Sequence, residues 1–404
     1  MDERTAELGD DRTIGRRLRR IRTVRGKSLE VVAGLAGISA AHLSRLETGE
    51  RALDRLSLIV ALADALQIAP SELTSLPIPA PANGHTDSSI EAIRLALDAI
   101  DVDHPGGLVL PVAVLRDRVT QIHAQLRASQ FVEVATGLPG LIRDLHTTLA
   151  TGTDHGEVLT LAVYLHVHVT RLWLRVAAAP ADLCRRTVFL ARRLAQEHGE
   201  VTMLGMAGFA VADTLLFGGA FEPGRAELDS LTLPPTTADT AGLVCWLTVT
   251  HGLVAVLDGR PNDAAAPMDA TAEIAGRFGA TGEADVLGIV FGPTDVGMNR
   301  MGQALESGEP DRAVSIAQDV DPDRHPFPSN RAFYWAHHGR GLVQLRGRDD
   351  DAVRALRTAE GLYPPKVQRD PLVRETLAEL LTRVKRDAVG RELRGMAYRA
   401  GLPV

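Results

Sequence analysis

The stretch Ile14-Gly15-Arg16-Arg17-Leu18-Arg19-Arg20-Ile21-Arg22, followed by Gly26-Lys27-Ser28-Leu29 and then by Gly37-Ile38-Ser39-Ala40-Ala41-His42-Leu43-Ser44-Arg45-Leu46-Glu47-Thr48-Gly49, decides the fold of the N-terminal part. Ile14, Leu18, Ile21 and Val24 recur at helical spacing, which predicts a helix over 12–25. Ser28 can cap a second helix over 29–36 that stops at Gly37. Ser39 can cap a third over 40–48, closed by Gly49, with Ile38, Leu43 and Leu46 turned to the core. Residues 55–66 and 71–73 read as a fourth and a short fifth helix. Two short helices joined by a tight turn at Gly37 form a helix-turn-helix arrangement.

Caps, glycines and apolar positions agree in register over 12–75, and on these residues the segment resembles the lambda-repressor-like, or XRE-family, DNA-binding domain. The resemblance implies that the third helix enters the major groove of double-stranded DNA, presenting Ser39, Ala40, Ala41, His42, Ser44 and Arg45. Arg45 can form a bidentate contact to guanine, whereas the two alanines offer only contact to a thymine methyl. Eight basic residues and no acidic one lie between Arg12 and Lys27. Such a run supplies phosphate contacts, expected of Arg16, Arg20 and Lys27, with Ser28 and Arg51 beside them. The resemblance further implies that Arg22 pairs with Glu47 to fix helix orientation. Leu29 stands where the family usually has a phosphate-bonding glutamine. With so thin a direct code, specificity is expected to draw on DNA shape and on two half-sites read by a homodimer.

Outward from this segment, residues 1–11 are acidic and polar and read as a disordered N-terminus without a signal peptide. Pro77, Pro79 and Pro81 alternate ahead of Asn83-Gly84, so 76–89 reads as a semi-rigid linker. Residues 90–404 carry almost no strand signal. Hairpin turns are expected near Ser129, Ala179, Gly219, Gly259, Gly308 and Gly347, about forty to fifty residues apart. Gly347, Ala352, Ala359 and Pro364 are spaced like a tetratricopeptide (TPR) unit, and Gly252, Gly259, Ala264, Gly308 and Ala313 repeat parts of it. The fold class is therefore all-α, a five-helix lambda-repressor-like domain followed by a TPR-like α-solenoid. Together with Phe291-Gly292-Pro293-Thr294 and Pro371-Leu372-Val373-Arg374-Glu375, these turns resemble the C-terminal region of actinobacterial XRE regulators with TPR-like domains. That resemblance implies a transcriptional regulator whose helical-repeat domain dimerises and senses a peptide or small-molecule effector. Polar residues on otherwise apolar helices are the candidate ligand contacts: Arg171, Asp213, Trp246, His251, Asn299 and His338.

Composition excludes several other classes. Lys plus Arg is 44 against 51 for Asp plus Glu, a formal net charge of -7, which taken whole points away from nucleic acid. Its distribution points the other way: residues 1–75 hold 12 basic and 11 acidic side chains, and 76–404 hold 32 and 40. Cys184 and Cys245 stand far apart with no CxxC, so neither a disulfide framework nor a cysteine zinc site is expected. The apolar runs 203–221 and 242–257 contain Asp213, Trp246 and His251 and read as buried helices, so no membrane partner and a cytoplasmic location are expected. No nucleophile elbow, Walker loop, HExxH or GxGxxG occurs, and His166 with His168 or His337 with His338 lack the i, i+4 spacing of a helical metal site. No catalysis, cofactor or metal is expected. The alternative reading is a TPR-based regulator that sequesters a protein partner, with DNA binding secondary.

Overall fold

The structure, a computed structural model, describes residues 12–74, 85–278, 290–383 and 387–404, and all regular elements among them are helices. The expected disordered segment 1–11 and the proline-rich part of the linker lie outside the described residues. Five helices make the N-terminal segment: α1 (Ile14–Val24), α2 (Leu29–Leu35), α3 (Ala40–Thr48), α4 (Leu56–Leu66) and α5 (Pro70–Thr74). Then follow α6 (His85–Asp101), α7 (Val112–Arg127), α8 (Phe131–Ala150), α9 (His155–Tyr164), a π-helical turn Leu165–Thr170, α10 (Arg171–Val176), α11 (Ala181–His198), α12 (Val201–Phe217), α13 (Phe221–Asp229), α14 (Ala238–Leu257) and α15 (Ala265–Phe278). The last seven are α16 (Pro293–Glu306), α17 (Pro310–Gln318), α18 (Pro328–Val343), α19 (Asp349–Leu362), α20 (Pro364–Gln368), α21 (Pro371–Arg383) and α22 (Ala388–Arg399).

Backbone contacts group the chain into two compact units, Met1–Pro79 with Val249–Ala272 and Pro293–Val404, and Ala80–Thr248 with Glu273–Gly292. This grouping differs from the expected boundaries, because the N-terminal five helices share a unit with the C-terminal ones. The linker expected over 76–89 is also shorter than it reads, since α6 already begins at His85. Ile93, Ala96 and Leu97 are fully buried, and that apolar stripe carries the helix back past the polar Thr86, Asp87, Ser88 and Ser89.

The chain reverses between helices at five of the six expected turns and one residue before the sixth, at Ala178 rather than Ala179. Ser129, Ala178, Gly219, Gly259, Gly308 and Gly347 all adopt positive φ, between 55° and 80°. The left-handed residue lets the last carbonyls of one helix be closed by the amides that follow, as where Glu309 N–H reaches Ala304 O at 2.8 Å. Helices on either side of such a turn approach closely. A Cβ at Gly339 on α18 would lie 2.8 Å from Leu356 Cγ on α19, and Ala352 and Ala359 have no exposed surface. A Cβ at Gly252 on α14 would meet Gln303 Nε2 at 2.7 Å, with Ala264 and Pro267 at ordinary contact distance.

In the second unit, Gly107, Leu108 and Leu110 N–H donate to Thr147, Asp144 and Thr148 of α8, which ties the α6–α7 connection down. His146 and His166 face each other through their Nε2 atoms at 2.9 Å, and Tyr164 Oη contacts His123 Nδ1 at 2.7 Å. Burial holds His123 and His146 down at about 4, and it holds His166 and His168 well below the ordinary imidazole value. The stretch Thr240–Leu257 of α14 is long and apolar enough to cross a membrane by length and composition, and just over half of it is buried inside the protein.

Candidate nucleic-acid interface

Ile14, Leu18, Val32, Leu43, Leu46, Ile59, Leu62 and Leu66 form the core of the N-terminal helices. The first three helix starts are capped by hydroxyl side chains. Thr13 accepts from Arg16 N–H, Ser28 from Val31 N–H at 3.3 Å and Ser39 from His42 N–H at 3.1 Å. Gly37 and Gly49 take φ of 70° and 79°, where a side chain would strain the backbone. The axes of α2 and α3 are bent by 106° across the Gly37 turn, within the range of a helix-turn-helix pair. Gly15 sets the approach of α1 to α3, because a Cβ there would fall 2.0 Å from Leu46 O.

Arg22 forks onto Glu47, Nε to Oε1 at 2.6 Å and Nη2 to Oε2 at 2.8 Å, and its Nη1 donates to Lys27 O at 2.9 Å. The hydrogen bond to Glu47 raises the guanidinium above its ordinary value. This fork ties the end of α1 to the end of α3.

With α3 so fixed, Ser39, Ala41 and Arg45 are exposed, and Ala40, His42 and Ser44 are half-buried. Arg16 and Arg20 are exposed on α1, and Ser28 is exposed at the start of α2. Burial lowers the His42 imidazole, and Arg45, Arg55 and Arg51 lower it further, so it is neutral at pH 7 and leaves the cationic character to the arginines. Lys27 is half-buried and has an internal partner as well. Its Nζ donates to Ala65 O at 2.6 Å, an internal tie between the α1–α2 turn and the end of α4.

Residues 13–76 match the model of a family described as helix-turn-helix domain. The match covers the capped α2–Gly37–α3 pair and supports a DNA-binding regulator. No curated protein and no solved structure matches the chain.

Acidic and basic side chains far apart in sequence hold this domain against the C-terminal helices. Glu375 on α21 accepts Ile14 N–H at the start of α1. Four residues on, Glu379 accepts Ala52 N–H at 2.6 Å and pairs with Arg383 at 2.7 Å and Arg51 at 3.5 Å. At the end of α16, Glu306 accepts Ser57 N–H at 3.2 Å, one residue inside α4, and its backbone carbonyl accepts from Ser57 Oγ at 2.9 Å. Helix starts leave unsatisfied N–H groups with partial positive charge, so a carboxylate is the expected partner. Arg340 on α18 donates to Asp54 O and lies 3.6 Å from Asp54 Oδ2 and 3.3 Å from Glu306 Oε1.

Asp54, Glu306, Arg340, Glu375 and Glu379 are buried, whereas Arg51 and Arg383 reach solvent. Burial pushes Asp54 and Glu306 up while Arg340 pulls them back. Burial also lowers Arg340, but Asp54 and Glu306 outweigh it and leave the guanidinium above its ordinary value. Glu375 is pushed up to about 7 by burial against the pull of the Ile14, Leu53 and Gly15 amides. A signal was present: Glu375 and Glu379 stand at i, i+4 on a helix whose apolar residues Val373, Leu377 and Leu380 are also buried.

The six candidate ligand contacts are divided between the two units. In the second unit, Asp213 pairs with Arg171 and, at 2.8 Å, with Arg175, so the first two candidates satisfy each other. Trp246 packs edge-on to Phe291 at 5.2 Å. In the first unit, His251 is half-buried, Asn299 Nδ2 donates to Asp295 O at 2.8 Å, and His338 packs against Trp335 and Tyr334. No group of three or more His, Cys, Asp or Glu among the described residues is arranged to hold a metal.

Proposed function

We propose that the chain is a sequence-specific DNA-binding transcriptional regulator of the XRE type, with α3 as its recognition helix and a TPR-like helical region that dimerises and senses an effector. One observation carries the reading. The α2–α3 pair, bent by 106° and locked by the Arg22–Glu47 fork, presents Ser39, Ala41 and Arg45 to solvent beside the arginines of α1. A helix so presented fits a major groove, and the flanking cations meet phosphates. Dimerisation follows from the two half-sites that such a helix, with one strongly base-reading side chain, needs for specificity. The positive-φ turns at intervals of about forty to fifty residues and the close helix pair at Gly339 support the TPR-like reading of the rest.

The test is titration of the full chain onto labelled duplex DNA at several salt concentrations, with sedimentation of the complex. The account expects log K to fall linearly with log salt with a slope of several units, and two chains per duplex. Binding that is absent at low salt contradicts it.

A further inference from the structure

A half-open cleft of about 290 Å³ lies beside the recognition helix, between α3–α4 and the α16–α17 and α18–α19 turns. His42, Arg45, Arg51 and Arg55 line one wall, and Gly308, Pro310 and Gln344 line the other. Two carboxylates, Asp54 and Glu379, also reach it, but each already has a cation behind the wall, Arg340 for Asp54 and Arg383 for Glu379. Arg51 is half committed, 3.5 Å from Glu379. Arg45 and Arg55 make no ion pair among the described residues. Three arginines thus stand against two carboxylates on the cleft wall, and Asp54 and Glu379 are drawn on by Arg55 and Arg51 as well as by the cations behind them.

The wall opposite Arg55 is shaped for its guanidinium. Gly308 sits at φ 77° in the α16–α17 turn, and a Cβ there would lie 2.1 Å from Arg55 Nη1. A side chain there would press on the guanidinium, the movable end of Arg55, and make it shift. Guanidinium groups recognise phosphate oxygens bidentately, and two of them converging on a small half-enclosed volume form a phosphate site.

We propose that this cleft binds a small phosphate-bearing ligand, held by Arg55, Arg51 and Arg45 and by the amide of Gln344. This deepens the regulatory reading above and rests on it, because the ligand would be the effector. Arg45 cannot reach a guanine and a phosphate in the cleft at once, so ligand and DNA compete for it. The competition is reciprocal: each lowers the affinity of the other by the same factor. The site also joins the recognition helix to the C-terminal helices, so an occupant favours the arrangement that contains both walls.

The same phosphate chemistry comes from two sources, a free ligand or the DNA backbone, and the experiment separates them. Inorganic phosphate is titrated calorimetrically into the full chain in chloride buffer, with and without bound duplex, alongside Arg55→Gln and the exposed control Arg324→Gln. DNA affinity is measured on the same preparations. The expected result is saturable phosphate binding in the absence of DNA, weakened about tenfold or more by Arg55→Gln, unchanged by Arg324→Gln, and weakened when duplex is bound. No saturable binding to the free chain overturns the proposal. So does a loss of DNA affinity in Arg55→Gln with the salt slope reduced by about one and no phosphate binding in either form, since Arg55 is then a backbone contact. Because DNA binding is read separately, failure of the cleft leaves the DNA-binding reading standing, and failure of DNA binding is seen on its own.

Discussion

Replacing Arg340 with methionine tests how the N-terminal helices are held. The guanidinium is 3% exposed, and its partners Asp54 and Glu306 are 5% and 8% exposed. At the 3.3 Å separation from Glu306, and with an effective dielectric near 20, the gross attraction is roughly 5 kcal/mol. Most of that offsets the desolvation of the charges. Methionine fills similar volume, so the loss comes from two buried carboxylates left without their cation, and about 3–5 kcal/mol is expected. Urea denaturation followed by circular dichroism at pH 7 measures it, with Arg324→Met, an exposed position, as a control within about 0.5 kcal/mol. The sign with pH is fixed as well. Without Arg340, burial alone raises Asp54 and Glu306 in the folded chain. The variant's deficit is then small below the unfolded carboxylate values and grows as pH rises through the raised ones. A loss under about 1 kcal/mol at pH 7, or a deficit that grows as pH falls, refutes the reasoning.

Other outcomes follow from particular side chains. Folded His123 and His146 titrate near 4 rather than 6.5, so stability is full above pH 6.5 and is lost as pH falls toward 4, by about 3 kcal/mol at most for each; His146→Gln flattens that profile between pH 6.5 and 5, and an unchanged profile contradicts this. Arg45→Ala weakens binding to the preferred duplex by about 1–3 kcal/mol and relaxes the preference at one base pair. Equal losses on preferred and random duplexes would reduce Arg45 to a phosphate contact. Lys27→Met lowers stability by about 1–3 kcal/mol, because its ammonium serves Ala65 O, and leaves the salt slope of DNA binding unchanged. A slope reduced by about one would return Lys27 to the phosphates.

The residues made some parts of this architecture legible and hid others. Ser28, Ser39, Gly37 and Gly49 are local signals, each acting within one turn of helix, and the five N-terminal helices lie within a residue or two of where those signals place them. The left-handed turns at Ser129, Ala178 and the four glycines are local in the same way. Glu375 and Ile14 are 361 positions apart, and nothing near either one announces the other. Charged residues are mostly exposed, so nothing in composition marks Arg340, Glu306 and Glu379 as buried. The converse occurred with Arg171 and Asp213: polar residues on apolar helices suggest a ligand, yet the pair neutralises itself across 42 positions. The tie from Lys27 Nζ to Ala65 O was hidden because its acceptor is a backbone atom that no side-chain pattern reveals.

Selection of bound sequences from a pool of random duplexes by the full chain tests the central claim most directly, because it asks whether α3 reads bases. The expected outcome is enrichment of a motif of two half-sites about one helical turn apart, with a guanine in each half whose preference disappears in Arg45→Ala. A pool that remains random after repeated rounds, while the chain still binds duplex at low salt, would contradict it.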